Sequence, residues 1–186
     1  ALSPPRRLTA PKSWPDSAAL DSLGLEPKVD WAGGLREAWV PGEKGAQHHL
    51  ERFLEKNLAS YPEDRDRPAQ DGTSRLSPHL HFGEIGPRRI FHAVLERAAA
   101  DKETAYADAA EQYLRQLYWR EFAHDLLYHF PHTTDAPLRE EYAAFPWQYD
   151  DATLAAWQQG RTGYPIVDAG MRELWTTGWM HNRVRM

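Results

Sequence analysis

The feature that most constrains the fold of this chain is an apolar repeat at helical spacing, which covers most of the sequence after residue 45. The longest helix is predicted at Glu103–Phe130, where Pro131 closes it. Its apolar residues recur every three to four positions, the period that keeps side chains on one face of a helix. This core stripe is Leu114, Leu117, Tyr118, Phe122, Leu126 and Phe130. No strand pattern of useful length occurs, so the predicted fold class is all-α and multi-helical.

Shorter helices are predicted on either side of this long one. Residues 46–58 carry an apolar stripe, and Asp150 or Asp151 can cap a helix because a carboxylate accepts backbone N–H groups. Proline suits the first helical position, whereas glycine suits the residue after the last. The predicted helices are 46–58, 76–83 opening at Pro78, one beginning at Pro87, 152–159 ended by Gly160, 165–176 opened by Pro165 and ended by Gly178, and one that starts near Met180 and contains the chain end.

The first 45 residues differ in composition from the rest. They hold six of the 14 prolines and five of the 12 glycines. Proline lacks a backbone donor, and glycine loses the most entropy on ordering. We therefore expect 1–45 to be a linker or an irregular wrap, with a short helical turn near Ser17–Leu23. Residues 46–186 are expected to form the helical domain.

Composition excludes several classes of protein. The chain has no cysteine, which rules out disulfides, thiolate metal sites and cysteine nucleophiles. Neither a membrane span nor the apolar core of a signal peptide is found, so the cytoplasm is the expected compartment. The eight tryptophans suit helical cores and also the stacking of planar ligands. The net charge is −5, but 161–186 carries four arginines against two acidic residues, a basic patch that can hold a DNA backbone.

A cluster of hydroxyl side chains lies where the polar stretch 60–75 meets a predicted helix. The segment Gly72–Ser77 reads GTSRLS, with three hydroxyls and one guanidinium. Hydroxyls and free backbone N–H groups at such a junction bind anions, and arginine adds fixed charge, so a pyrophosphate would suit this segment. A plain capped turn explains the same residues and is, from chemistry alone, the commoner case.

The long helix is predicted to have a second, polar face. At spacings of three and four, this face carries Tyr113, Gln116, Trp119, Arg120 and Ala123. An aromatic ring, an amide and a cation on one surface can stack a base, bind its edge and hold a phosphate. The alternative is a helix packed on two sides, in which Trp119 makes the second contact.

The last ten residues are unusually basic for the start of a helix. Trp179 follows the glycine that ends the preceding helix, and Asn182, Arg183 and Arg185 crowd the predicted new one. Arginine is unfavourable near a helix N-terminus, and an uncompensated local conflict is typical of a functional site. A solvated basic turn is the alternative.

Other familiar sites are not predicted. The sequence has neither GxGxxG nor a Walker loop. Ser74 and Ser77 have no His–Asp relay, so hydrolase chemistry is not supported. No metal is expected, because carboxylate partners and metal-site spacing are lacking around His48, His49, His79, His81, His129 and His132.

Several segments together resemble the DNA photolyase/cryptochrome family, and its bacterial deoxyribodipyrimidine photolyases most of all. They occur in family order and with family-like spacing across residues 46–186. The matching segments are Tyr61–Arg65 running into Gly72–Gly83, then Leu117–Phe122, Trp157–Met171 and Thr177–Met186.

The resemblance implies an FAD held in a U shape by a helical domain, and UV-damaged DNA beside it. Trp119 would stack on the flipped pyrimidine dimer, Gln116 would take part in catalysis, and Trp147 matches the outermost tryptophan of the photoreduction chain. The implied FAD-binding residues are Tyr61, Thr73, Ser74, Arg75, Leu76, Ser77, Tyr113, Arg120, Asn182 and Arg185. The implied contacts to DNA or lesion come from Arg65, Gln116, Trp119, Arg120, Trp179, Asn182, Arg183 and Met186.

The activity implied by the resemblance is blue-light-driven repair. Reduced, excited flavin gives one electron to a cyclobutane pyrimidine dimer, which splits, and the electron returns. Two positions depart from the family pattern: Gln116 stands where these photolyases usually carry Glu, and Tyr113 replaces a frequent Trp. Because (6-4) photolyases and several cryptochromes carry Gln there, a (6-4) photolyase and a blue-light photoreceptor are alternatives, as is a non-catalytic helical fragment. We expect a monomer with no membrane partner.

The resemblance also implies that the chain is part of a longer protein. Residues 1–45 resemble the connector that follows an N-terminal α/β antenna domain in the family. The family continues beyond the position of Met186 into helices that meet the flavin ring. We therefore expect this chain alone to bind FAD weakly or not at all.

Overall fold

The computed structural model describes residues 10–101 and 104–185, and within these ranges every regular element is helical. The predicted all-α fold class is confirmed. None of the described helices combines the length and the apolar content that a membrane crossing requires. The α-helices are α1 (Gly33–Ala38), α2 (Glu43–Arg52), α3 (Tyr61–Asp64), α4 (Ser77–His81), α5 (Pro87–Ala100), α6 (Thr104–His129), α7 (Asp151–Gln158) and α8 (Pro165–Thr177).

Helix ends lie where proline, aspartate and glycine predict them. Pro87 and Pro165 are the first residues of α5 and α8. The Asp150 carboxylate accepts the N–H of Ala152 at 3.0 Å and caps α7. Gly178 ends α8 with φ at +71°, a left-handed conformation that glycine adopts without steric cost. The predicted start of the long helix, Glu103, lies outside the described residues.

The core lies between α2, α5 and the first half of α6. The stripe of α2 continues through a π-helical segment, Phe53–Asn57, which carries Phe53 into the core. Burying one such side chain contributes about 1.5–3 kcal/mol. The buried cluster is Ala46, Leu50, Phe53, Leu58, Tyr61, Leu76, Ile85, Ile90, Val94, Ala109, Ala110, Tyr113, Leu114 and Leu117.

The predicted core stripe of α6 is right only in its first half. Leu114 and Leu117 are buried, whereas Tyr118, Phe122 and Phe130 are exposed and Leu126 is half-buried. Helices α3 and α5 pack on α6, and their contacts bury the first half of its apolar face. The spacing therefore identifies an apolar face without showing that another element covers it.

The end of the N-terminal segment packs on the helical body, whereas residues 10–26 are exposed. A 3-10 turn at Leu20–Leu23 matches the predicted helical turn, but α1 was not expected from the sequence. Helix α1 packs on α8 so closely that a Cβ at Gly34 would lie 2.3 Å from the Thr176 carbonyl oxygen. Residues 1–9 of the predicted linker lie outside the described residues.

Two hydrogen bonds attach the end of this segment to the body. Trp39 Nε1 donates to the Thr177 carbonyl at 2.6 Å. The N–H of Gly42 donates to Glu84 at 2.7 Å, and the other oxygen of that carboxylate lies 2.5 Å from His79 Nδ1. The end of the segment is therefore fixed by contacts with residues distant in sequence.

The helix predicted to start near Met180 is replaced by a short 3-10 turn at Asn182–Val184. The His181 imidazole accepts the N–H of Arg183 at 3.1 Å and caps this turn. The three polar residues expected to crowd a helix start therefore lie in a tight turn, where no long helix dipole opposes the arginines.

Candidate functional site

A cavity of about 730 Å³ lies where three parts of the chain meet. The first part is 61–81, the second is the 113–124 face of α6, and the third is 179–185. A volume of this size falls within the range of about 300–1,000 Å³ that is typical of small-molecule sites. The fold therefore unites the three motifs around one hollow.

The lining of this cavity includes almost every predicted site residue. Among the described ones, Trp147 is not in it, because it lies at the surface, 68% exposed, with its ring 4.7 Å from that of Phe145. The predicted site residue Met186 lies outside the described residues. The predicted residues in the lining are Tyr61, Arg65, Thr73, Ser74, Arg75, Leu76, Ser77, Tyr113, Gln116, Trp119, Arg120, Trp179, Asn182, Arg183 and Arg185.

The hydroxyl-rich segment presents a directed donor to the cavity. The Tyr113 hydroxyl donates to Ser74 Oγ at 3.1 Å, and the N–H of Leu76 donates to the same oxygen at 3.4 Å. A hydroxyl has two acceptor lone pairs and one proton. Because both lone pairs of Ser74 Oγ accept hydrogen bonds, its hydroxyl proton is available to donate to an acceptor in the cavity.

Arg75 keeps positive charge beside these hydroxyls. Its backbone has φ at +52°, the left-handed region that non-glycine residues seldom occupy outside functional or strained segments. Its guanidinium lies over the Trp179 ring at 4.5 Å, and its Nε is 3.2 Å from Asp71. Arg52 binds the same carboxylate. Two guanidinium groups thus share one carboxylate, which leaves this corner with net positive charge.

Three aromatic rings pack together next to Ser74, and two of them, Tyr61 and Tyr113, line the cavity. The Phe53 and Tyr113 centroids are 4.4 Å apart, and Tyr61 meets both rings edge-on. Burial raises the pKa of Tyr113 well above its usual range, and it raises the pKa of Tyr61 as well. Both phenols are therefore neutral and available as donors near neutral pH.

The polar face of α6 forms the opposite wall. Gln116, Trp119 and Arg120 line the cavity as their helical spacing predicts. The Trp119 ring is 64% exposed and meets Phe122 edge-on at 5.7 Å. Ala123, predicted on the same face, is not in the lining, whereas His124 is. His124 follows Arg120 by four residues, so helical spacing could have identified it.

The 3-10 turn and the end of α3 form the mouth of the cavity. Arg183 Nε is 2.6 Å from Asp66 Oδ1, and Arg65 lies over the Tyr61 ring at 5.4 Å. Arg185 Nε donates to the Met180 carbonyl at 3.3 Å. Trp179 is buried beneath Arg75, so only a group inside the cavity can reach its ring.

The sequence did not identify all of the lining. Leu80, His81, Leu117, Met180 and His181 also face the cavity. Apart from their position next to the recognised motifs, these residues carry no pattern that distinguishes them from core or surface positions.

The histidines need one correction. His79 and His129 do have carboxylate neighbours, Glu84 at 2.5 Å and Asp125 at 3.5 Å. Within the described ranges, however, no group of three or more histidine and acidic side chains is placed to hold a metal ion.

Comparison with known proteins agrees with this geometry. The sequence model of a family described as "FAD binding domain of DNA photolyase" matches residues 113–186. The deoxyribodipyrimidine photo-lyase of Agrobacterium fabrum is 46% identical over 98% of this chain and 38% of its own length. Cryptochrome-1 of Sinapis alba is 40% identical over 100% of this chain and 38% of its own length. The crystal structure of a bacterial class III photolyase from Agrobacterium tumefaciens superposes with a TM-score of 0.85 at 44% identity, covering 98% of this chain and 37% of that one.

The chain belongs to the DNA photolyase/cryptochrome family. It spans 38% of the length of the Agrobacterium photo-lyase and of the Sinapis cryptochrome. The family model begins at Tyr113, on the cavity face of α6, and it includes the basic turn at the cavity mouth.

Proposed function

We propose that this chain forms part of the FAD- and DNA-binding domain of a blue-light-driven photolyase that splits cyclobutane pyrimidine dimers. The observation that carries the proposal is the single cavity shared by a hydroxyl-rich segment, an aromatic–amide–cation helix face and a basic turn. Residues 46–186 belong to this domain, and 1–45 connect it to a preceding one. The protein acts as a cytoplasmic monomer with no membrane partner.

The cavity fits a dinucleotide cofactor. The free hydroxyl proton of Ser74 and the net positive charge shared by Arg52, Arg75 and Asp71 suit a pyrophosphate. Bound FAD supplies the light-driven electron transfer. The residues that hold it are Tyr61, Thr73, Ser74, Arg75, Leu76, Ser77, Tyr113, Arg120, Asn182 and Arg185.

The exposed wall of the cavity suits the damaged base. Trp119 offers a ring face for stacking, and Gln116 beside it can donate to and accept from a base edge. Flipping a base out of the duplex costs least where the base is already damaged and poorly stacked. Contacts to the lesion and its backbone come from Arg65, Gln116, Trp119, Arg120, Trp179, Asn182, Arg183 and Met186.

Trp147 is proposed to pass electrons between the flavin and the outside of the protein. Its high exposure and its contact with Phe145 support a position at the surface end of such a path. This role is separate from lesion binding, because Trp147 does not line the cavity.

The test uses the full-length protein that contains this chain, loaded with FAD. We expect blue light to remove cyclobutane dimers from irradiated DNA. The Trp119→Ala variant should lose this activity, while Trp175→Ala, which removes an exposed ring outside the cavity, should keep it. Flavin binding without repair of these dimers would contradict the proposal and favour the photoreceptor or the (6-4) photolyase. Absence of flavin binding would favour a non-catalytic helical protein.

A further inference from the structure

One carboxylate lies between two arginines of the cavity mouth. Asp66 Oδ1 is 2.6 Å from Arg183 Nε and 3.6 Å from Arg65 Nε. Both arginines line the cavity, whereas Asp66 stands behind them. Arg183 is 117 residues further along the chain than Asp66, so this contact joins the end of α3 to the 3-10 turn.

This contact is placed where an ion pair contributes little to stability. The Asp66 and Arg183 side chains are 49% and 47% exposed, and exposed pairs contribute little because water screens them. The Arg183 guanidinium holds the pKa of the Asp66 carboxyl below its usual range, so Asp66 is charged at neutral pH. Its influence is therefore on the charge and orientation of the mouth.

The two arginines keep donors for a ligand. Arg183 donates to Asp66 through Nε, and within residues 10–101 and 104–185 neither Arg65 nor Arg183 makes a hydrogen bond through its terminal nitrogens Nη1 and Nη2. The planar fork of a guanidinium matches phosphate oxygens with two parallel hydrogen bonds. Because Asp66 contacts the Nε atoms of both arginines, it fixes the direction of each guanidinium while leaving the terminal nitrogens available to a phosphate.

The same carboxylate limits the positive charge at the mouth. Two arginines and one aspartate give a net charge of +1, where the arginines alone would give +2. Binding of a protein to any DNA strengthens with each phosphate it neutralises and becomes more sensitive to salt. A fixed negative charge therefore weakens binding to all DNA, and a ligand that also fills the cavity compensates for this loss.

We propose that Asp66 is a positioning residue that sets the preference for damaged over undamaged DNA, by orienting the Arg65 and Arg183 forks towards the DNA backbone and by suppressing binding that does not use the cavity. This inference rests on the proposed function, because it requires that the mouth faces DNA.

The test compares Asp66→Asn with Asp64→Asn in the full-length, FAD-loaded protein. Asp64 is a matched control, because it lies in the same segment, pairs with Arg67 and does not line the cavity. Binding to one duplex, with and without a single cyclobutane dimer, is measured over a range of salt concentrations.

We expect Asp66→Asn to bind the undamaged duplex about fivefold more tightly, the effect of removing one like charge near a phosphate in water. Its plot of log affinity against log salt should steepen by about 0.9, equivalent to one further phosphate neutralised. The ratio of damaged to undamaged affinity should fall, and Asp66→Glu should restore part of it. Asp64→Asn should leave the salt slope and this ratio unchanged.

Equal salt slopes and equal ratios for the two asparagine variants would overturn the inference. A wild-type protein that binds DNA without preferring the dimer would contradict the proposed function, and with it the part of the inference that concerns preference. In that case the salt slope on the undamaged duplex still decides whether Asp66 limits the charge of the mouth. Absence of any DNA binding would overturn both proposals.

Discussion

The two halves of α6 have the same kind of sequence and opposite surroundings. In the first half, which we take to end at Leu117, the side chains of Tyr113, Leu114 and Leu117 are buried against the core. In the second half, Phe122 and Tyr128 stand in water, although apolar residues recur there at the same spacing. The comparison shows that helical spacing determines where an apolar face lies, whereas long-range packing determines whether it is buried.

The exposed apolar residues in the second half of α6 indicate a surface that binds a ligand or another part of a protein. Contiguous apolar surface is costly in water and is typical of places where another surface or ligand is held. Trp119 lies near the boundary between the two halves, with its neighbour Leu117 in the core and its own ring at the cavity. The packed half thus fixes in place a wall whose outer residues are free to contact a ligand.

The largest expected difference comes from two ring deletions. One removes a buried ring from the core that packs against the first half of α6, and the other removes an exposed ring from its second half. Phe53→Ala should lower the free energy of unfolding by about 3–5 kcal/mol, because Phe53 is 0% exposed and its ring packs against Tyr61 and Tyr113. Phe122→Ala should cost less than about 1 kcal/mol, because Phe122 is 50% exposed. Urea unfolding followed by circular dichroism measures both, and equal losses would show that the second half is packed in solution.

The second prediction concerns the ring at the boundary. Trp119→Ala should weaken binding of the full-length protein to dimer-containing DNA by about 1–3 kcal/mol, the value of one base–aromatic stack. Stability should change little, because the ring is 64% exposed. Fluorescence anisotropy with labelled duplexes measures the affinity, with Trp175→Ala as control. Unchanged affinity would mean that this face of α6 does not contact the lesion.

The third prediction removes a single oxygen from the packed half. Tyr113→Phe keeps the ring against Phe53 but deletes the donor to Ser74. We expect a loss of about 0.5–1.5 kcal/mol in stability, the usual net contribution of one hydrogen bond. FAD affinity of the full-length protein should fall as well, because Ser74 is then free to rotate its proton away. If Ser74→Ala weakens FAD binding but Tyr113→Phe does not, Tyr113 does not direct the Ser74 hydroxyl.

The last prediction concerns the pH dependence of stability in the packed core. Burial, followed by the nearby His79, lowers the pKa of His49 from 6.5 to about 4. Between these values the unfolded chain binds a proton that the folded chain does not, so the free energy of unfolding should fall as pH falls through this window. Glu84 contributes to the pH dependence of stability only at lower pH, because hydrogen bonds from His79 and the Gly42 N–H hold its pKa below 4.5.

Thermal unfolding at several pH values measures this slope. His49→Gln should flatten it between pH 6.5 and 4, whereas His132→Gln, at an exposed position, should not. A slope that is identical in the two variants would assign the pH dependence to other groups.

Much of the helical pattern could be predicted because its causes are local. Pro87 and Pro165 begin helices through their fixed φ, and Asp150 caps α7 with its own side chain. Helix α1 could not be predicted, because its Gly34 is explained only by the closeness of Thr176, a residue of α8.

The candidate site divides in the same way. Helical spacing alone put Gln116, Trp119 and Arg120 on one face, and all three line the cavity. The pairing of Asp66 with Arg183 spans 117 residues, and no sequence pattern indicates it. Local chemistry thus predicted the walls of the cavity, and the fold determined how they meet.

The central claim is that the three segments around the cavity hold the flavin. Hydrogen–deuterium exchange of the full-length protein, with and without FAD, tests it directly. We predict that FAD slows exchange of the backbone amides in 72–77 and 179–185, where few helical hydrogen bonds protect them. Slowed exchange instead along the apolar groove between α5 and α6, lined by Phe91, Leu95 and Leu114, would contradict the account.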